Sequence, residues 1–164
     1  MSEHVVTPED INLPLPATQG GSVLHGELST VLLYPTFYAS EDSGLRYVLI
    51  ECVGLSLSRF GYPNDEGLGE HRLYRKGLRE IQGVAEVKDS DLLKEYESMS
   101  KRSHERIWGG RGILSQVPNP PSSKRHFVFS FKENVFEALC DALTLVGTFP
   151  DFSSAFDEAK QRIQ

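Results

Sequence analysis

The residues able to do acid–base, ligand or anchor chemistry crowd into the stretch from Glu51 to Arg75. Glu51 is the one charge inside the apolar run Tyr47-Val48-Leu49-Ile50-Glu51-Cys52-Val53. Beyond it lie Tyr62, Asp65, Glu66, Glu70, His71, Arg72, Tyr74 and Arg75, within a polar segment (59–77) that also holds Gly61, Gly67, Gly69 and Gly77. Carboxylates and an imidazole this close together offer oxygen and nitrogen ligands, or an acid and a base. Dedicated spacings are absent: there is no His-Glu-x-x-His, no EF-hand loop and no Cys-x-x-Cys, so neither a metal nor a cofactor is expected. Gly67-Leu68-Gly69 lacks the third glycine and the Lys-Ser/Thr ending of a phosphate loop. No Gly-x-Ser-x-Gly elbow presents a serine. Pairing Cys52 or Cys140 with His71 or His126 as thiol and base has no support from spacing. Glycosidase chemistry needs two facing carboxylates, and Glu51, Asp65, Glu66 and Glu70 are candidates that any acidic protein would supply.

Two functional readings follow. Tyrosine and arginine are enriched at binding hot spots, so Tyr62, Arg72, Tyr74 and Arg75 are the anchors if segment 59–77 is the recognition surface of a non-enzymatic binding or interaction module. The alternative is a small enzyme or small-molecule-binding protein with a pocket near Glu51, His71, Trp108 and His126. A concave, partly apolar pocket with convergent polar groups favours the second reading; a flat or convex loop favours the first.

A scaffold must hold these groups. Arg46 to Val53 has the composition of a strand, and its alternation puts Tyr47, Leu49, Glu51 and Val53 on one face and Val48, Ile50 and Cys52 on the other. Both faces are largely apolar, which predicts a strand covered on two sides. Glu51 then needs water or an arginine partner. The strand delivers the glycine-rich segment, where Pro63-Asn64-Asp65 is turn chemistry, to one end of the fold. A preceding strand over 28–38, with Pro35 marking an edge or bulge, forms a hairpin with it through Glu41-Asp42-Ser43-Gly44. A further strand is expected over 78–87. Asp89-Ser90 caps a helix near 90–104, with Leu92, Leu93, Tyr96 and Met99 as its apolar stripe. Residues 118–123 read as loop. Trp108 either plugs the core or lines a pocket. Phe127, Phe129 and Phe131 share one face of a strand that starts at His126. Residues 135–146 fit both a helix and a strand, and local propensity tilts toward helix. Asp151 caps a last helix whose stripe is Phe152, Ala155, Phe156, Ala159 and Ile163.

The chain of 164 residues, 39% hydrophobic and 24% charged, has the make-up of an ordinary soluble globule. Its net charge of −6 argues against nucleic acid or an anionic membrane as main partner. No apolar run is long enough to span a bilayer. With no apolar leader, no Asn-x-Ser/Thr acceptor and two distant cysteines, a reducing, cytoplasmic setting is expected, with both thiols buried. Proteins, small molecules and a second copy in a homodimer are the partners that fit. Residues 1–22, broken by Pro8, Pro14 and Pro16 and ended by Gly20-Gly21, read as a flexible tail before a single domain over 23–164.

His126-Phe127-Val128-Phe129-Ser130-Phe131, followed by a polar turn and Phe136-Glu137, resembles a family of small soluble proteins with a His-Phe-x-Phe-x-Phe strand, a Phe-Glu hairpin partner and a terminal helix. Gly61-Tyr62-Pro63-Asn64-Asp65-Glu66 is similar to the same family, so the resemblance covers two stretches of the chain. It implies a β-hairpin over 127–146 and no activity, since none is established for that family. The class that results is α+β: an antiparallel sheet of about four to six strands packed by two helices.

Overall fold

Alternation of apolar residues decides most of the architecture. A computed structural model of the chain describes residues 2–17, 20–27, 29–37, 44–61, 63–64, 66–108 and 123–164, with the backbone alone for Ile107 and Trp108. The strands are β1 (His4–Val6), β2 (Ser22–His25), β3 (Thr30–Phe37), β4 (Leu45–Val53), β5 (Leu57–Gly61), β6 (Val84–Lys88), β7 (Arg125–Ser130), β8 (Val135–Cys140) and β9 (Ala142–Phe149). The helices are α1 (Asp91–Trp108) and α2 (Phe152–Arg162). The class is α+β, and the strands divide into two antiparallel sheets, ordered β1-β6-β7-β8-β5 and β2-β3-β4-β9.

The two sheets pack face to face. Leu32, Tyr34, Val48, Ile50 and Cys52 from one meet Val84, Phe127, Phe129, Phe136, Ala138 and Cys140 from the other, and all of these side chains are buried. Val48, Ile50 and Cys52 form the inner face of β4, as their alternation requires. On its outer face Leu49 packs with Val31, Leu33 and the fully buried Ala155 and Ala159 of α2. Two-sided burial is therefore observed over Val48–Ile50, while Tyr47 and Glu51 are half-buried and Val53 is exposed. Small residues at 155 and 159 let the helix approach the sheet closely, and Asp151 caps it by accepting the Ser154 N–H at 2.9 Å. Phe129 and Phe131 stack at 6.2 Å in the inner core.

Residues 135–146 are strand, not helix. β8 pairs β7 (Phe129↔Phe136, Val128↔Glu137), and β9 pairs β4. Cross-strand partners on both edges of β8 override its local helical propensity. The hairpin implied by the resemblance over 127–146 is present only as 125–140, because 142–149 pairs β4 in the other sheet. β4 and β5 together pair with β8 and β9 as one long ribbon that crosses from sheet to sheet. It bends where Gly54 (φ +62°) faces Asp141, whose N–H donates to the Val53 carbonyl at 2.9 Å. Lys124 Nζ fastens the bend, donating to the Gly54 carbonyl at 2.6 Å and to Asp141 Oδ2 at 2.8 Å.

Further expectations are corrected. Part of the stretch read as a tail is built into the fold: β1 pairs with β6, and the Pro14 and Leu15 carbonyls accept hydrogen bonds from Tyr34 and Thr36. Proline lacks an N–H but its carbonyl still accepts, as at Pro14. Segment 59–77 is not a plain loop, because 59–61 belong to β5 and 68–70 and 74–76 are 3₁₀ turns. The strand expected over 78–87 is a 3₁₀ turn at 78–80 and then β6, since Gly83 (φ +82°) interrupts it. The two helices also serve different sheets. α2 covers the outer face of the β2–β9 sheet, and α1 fixes its N-terminus on the outer side of the other.

Candidate functional site

The outer face of the five-stranded sheet is roofed by the 3₁₀ segment. Leu73 and Leu78 are buried against Val5, Ala85, Val87, Val128 and Val135. Gly77 (φ +117°) lets the segment pass beside β1; a Cβ there would sit 2.8 Å from the Val5 carbonyl oxygen. Between roof and sheet lies a knot of polar groups centred on Glu137, a carboxylate in the all-buried strand Val135–Cys140.

Glu137 is held from three sides. His126 Nε2 lies 2.9 Å and Arg72 Nη2 2.7 Å from Oε2, and His71 Nε2 lies 3.4 Å from Oε1. The hydrogen-bond pattern assigns both imidazole tautomers. Leu73 N–H donates to His71 Nδ1 at 3.2 Å, which leaves the Nε2–H to face Glu137. Ser90 Oγ accepts the Leu93 N–H at 3.1 Å as the cap of α1, so its own proton goes to His126 Nδ1 at 2.8 Å and His126 also donates through Nε2. Burial alone would raise the Glu137 carboxyl; hydrogen bonds from His126 and His71 and the charge of Arg72 outweigh it and hold the group well below the ordinary carboxylate range.

Arg72 links this knot to a second carboxylate. Its Nη1 donates to Glu3 Oε1 at 2.8 Å, Lys76 Nζ donates to Glu3 Oε2 at 2.6 Å, and the Asp91 N–H donates to Glu3 Oε1 at 3.0 Å. Burial pushes the Glu3 carboxyl up, but the bonds from Lys76, the Asp91 N–H and Arg72 win and bring it down to about 2. Glu3 thus ties β1, the roof and the positive end of α1 together.

Ser90, His126 and Glu137 stand in the order hydroxyl, imidazole, carboxylate used in nucleophilic catalysis. Their setting works against that chemistry. Ser90 is 3% exposed and His126 1% exposed, and Ser90 is committed to capping α1. In such a triad the imidazole is the base, and here both nitrogens of His126 are bonded, to Ser90 and to Glu137, away from solvent. The arrangement positions the roof.

What this leaves open is a cleft of about 380 Å³ along the rim of β5, lined by Arg59, Phe60, Gly61, Pro63, Glu70, His71, Arg72, Val135 and Glu137. Arg59 stands opposite Glu137 in the β5–β8 register, yet Glu137 is occupied by others. Arg59 makes no ion pair among the described residues, and it is exposed. Phe60 packs edge-on against Phe136 at 6.4 Å but keeps 45% of its surface exposed. A second groove, along 6–10 with Glu86, Lys88 and Arg125, differs in kind. There Arg125 is paired with Asp10 and Glu86, and Lys88 with Glu86, so its cations are already satisfied.

The sequence candidates are partly assembled. Glu70, His71 and Arg72 line the cleft, and His126 lies behind it as a partner of Glu137. Glu51 is elsewhere, on β4, paired with Arg162 at 3.0 Å, which is the arginine partnership its apolar strand required. Tyr74 is half-buried, and Arg75 and Glu66 are exposed outside the lining. Tyr62, Asp65 and the Trp108 side chain lie outside the described residues, as does the loop expected over 118–122. Sequence reasoning missed Glu3, Ser90 and Glu137 as site components and gave Arg59 and Phe60 no role. A glutamate inside Val-Phe-Glu-Ala-Leu-Cys was the available signal, because a buried carboxylate requires donors. Among the described residues no cluster of His, Cys, Asp and Glu could hold a metal ion. No helix among them is long and apolar enough to cross a membrane. Comparison with family models, curated proteins and solved structures finds no match, so the site is read from its own geometry.

Proposed function

We propose that this chain is a non-enzymatic binding module whose recognition surface is the cleft framed by Arg59, Phe60, Glu70, His71 and Arg72. The observation that carries this reading is the saturation of Glu137. The imidazoles, the carboxylate and the hydroxyl that would perform chemistry are consumed in fixing segment 68–80 on the sheet. Among the groups left with unused recognition capacity, beside the exposed Glu70, Arg59 and Phe60 are a cation and an aromatic face, both typical binding anchors. The second reading, a small-molecule pocket, is favoured by one observation: the cleft is concave and mixes Phe60, Pro63 and Val135 with convergent polar groups. Two cysteines kept as buried thiols suit a reducing compartment such as the cytoplasm.

The test is protein-observed NMR of the full chain against a library of small fragments and short peptides. Shifts should concentrate on Arg59, Phe60, Gly61, Glu70, His71 and Arg72, and Phe60→Ala should abolish them while the rest of the spectrum persists. Shifts that map only to other surfaces, or turnover of a library member that Ser90→Ala or His71→Gln abolishes, would overturn it.

A further inference from the structure

We infer that the ligand of this cleft is an extended peptide segment carrying an acidic residue, which adds to the five-stranded sheet along β5. This deepens the binding reading above and rests on it. β5 is the last strand of its sheet and pairs with β8 alone among the described residues. A sheet edge presents unpaired N–H and C=O groups and is the surface that extended peptides join. The cleft is framed by this edge strand, its neighbour β8 and the roof, so a strand joined to β5 would lie beside the groups that line it.

Charge selects the occupant. Arg59, at the centre of the five-residue strand, is exposed and has no ion pair among the described residues, whereas Arg72 has donated to Glu3 and Glu137; the lining's exposed carboxylate, Glu70, is on the 3₁₀ turn 68–70 and not on the strand that a peptide would join. A carboxylate side chain on the incoming strand would be the first acceptor for the Arg59 guanidinium. A second copy of this chain fits poorly: two β5 strands centred on each other would bring two arginines face to face, and directly opposed like charges destabilise a strand pair. Phe60, on the other face of the same strand and 45% exposed, offers a ring against which an apolar side chain of the peptide can lie.

The experiment is a decapeptide array in which a central residue is varied through Asp, Glu, Gln and Lys within β-branched flanks, probed with the pure full chain. Bound peptides should be enriched in Asp or Glu at the centre. Arg59→Gln should weaken them at least tenfold, and Arg59→Glu should switch preference to the Lys series. Hydrogen exchange at the amides of 57–61 should slow on binding. Arg59 is exposed and outside the core, so both variants should fold, and their circular dichroism checks this. Binding without acidic enrichment, binding that Arg59→Glu leaves unchanged, or association only as a dimer of the chain overturns the inference. If no peptide binds while fragments still shift the cleft residues, the peptide inference fails and the binding reading stands. If neither does, both fail.

Discussion

Glu137→Gln tests the knot directly. The substitution keeps the shape, removes the charge and replaces one acceptor by an N–H donor. That donor must face His126 Nε2–H, His71 Nε2–H or Arg72, each of which is a donor itself. Breaking one side of a buried ion pair costs about 3–5 kcal/mol. Arg72 keeps 35% of its side chain in water and can rehydrate, so the lower end, about 3 kcal/mol, is expected. For a chain of this length that corresponds to a melting point lower by about 6–12 °C. Urea unfolding followed by circular dichroism should show the midpoint shifted and the slope unchanged. pH supplies an independent check. The folded carboxyl lies below its ordinary value, so its stabilisation is complete above about pH 4.5 and is lost as pH falls through the folded value. The gap between wild type and Glu137→Gln should therefore be widest near neutrality and close in acid. A loss no larger than the ~0.5 kcal/mol of an ordinary surface substitution, or a gap independent of pH, would refute the reasoning.

Glu3→Gln removes a carboxylate that titrates at about 2 instead of the ordinary 4.5; the full interval is worth about 3 kcal/mol. Because Lys76 and Arg72 are more than a third exposed, screening leaves about 1 kcal/mol, present above pH 4.5 and lost toward pH 2 in an acid titration of stability. Gly54→Ala drives a Cβ into Asp141 Oδ2 at φ +62° and should cost about 1–3 kcal/mol in the same urea assay, less so in an Asp141→Ala background. Cys52 and Cys140 should resist a thiol reagent in the native state and react only as fast as the protein unfolds. The Cys52 thiol is pushed far up by its hydrogen bond with Cys140 and by burial, and the thiolate is the reactive form; rapid labelling of one equivalent would contradict this.

The sequence made much of the scaffold legible where pattern and packing agree. Tyr47–Val53 reads as a two-faced strand because both faces are apolar, and helix α2 is legible because its cap and stripe coincide. Residues 135–146 were not legible, since Val-Phe-Glu-Ala-Leu-Cys satisfies either period and only strand partners on both sides decide it. The division into two sheets depends on a bend at Gly54 and Asp141, and no local signal says whether a glycine ends a strand or turns it into another sheet. Of the site, His71 and Arg72 could be picked out as polar groups of a glycine-rich segment. Glu3 and Ser90 could not, because their role comes from contacts across most of the chain: Glu3 to Arg72, Lys76 and the Asp91 amide, and Ser90 to His126.

The ribbon that bends at Gly54 gives the two layers a common border. Neither can acquire its flanking strand until Leu45–Gly61 has met Val135–Phe149 across the whole middle of the chain. Such long-range pairing places the molecule among slow folders, on a scale of about milliseconds to seconds. It also predicts that heat or denaturant will melt both layers in a single step, with no species in which one survives the other.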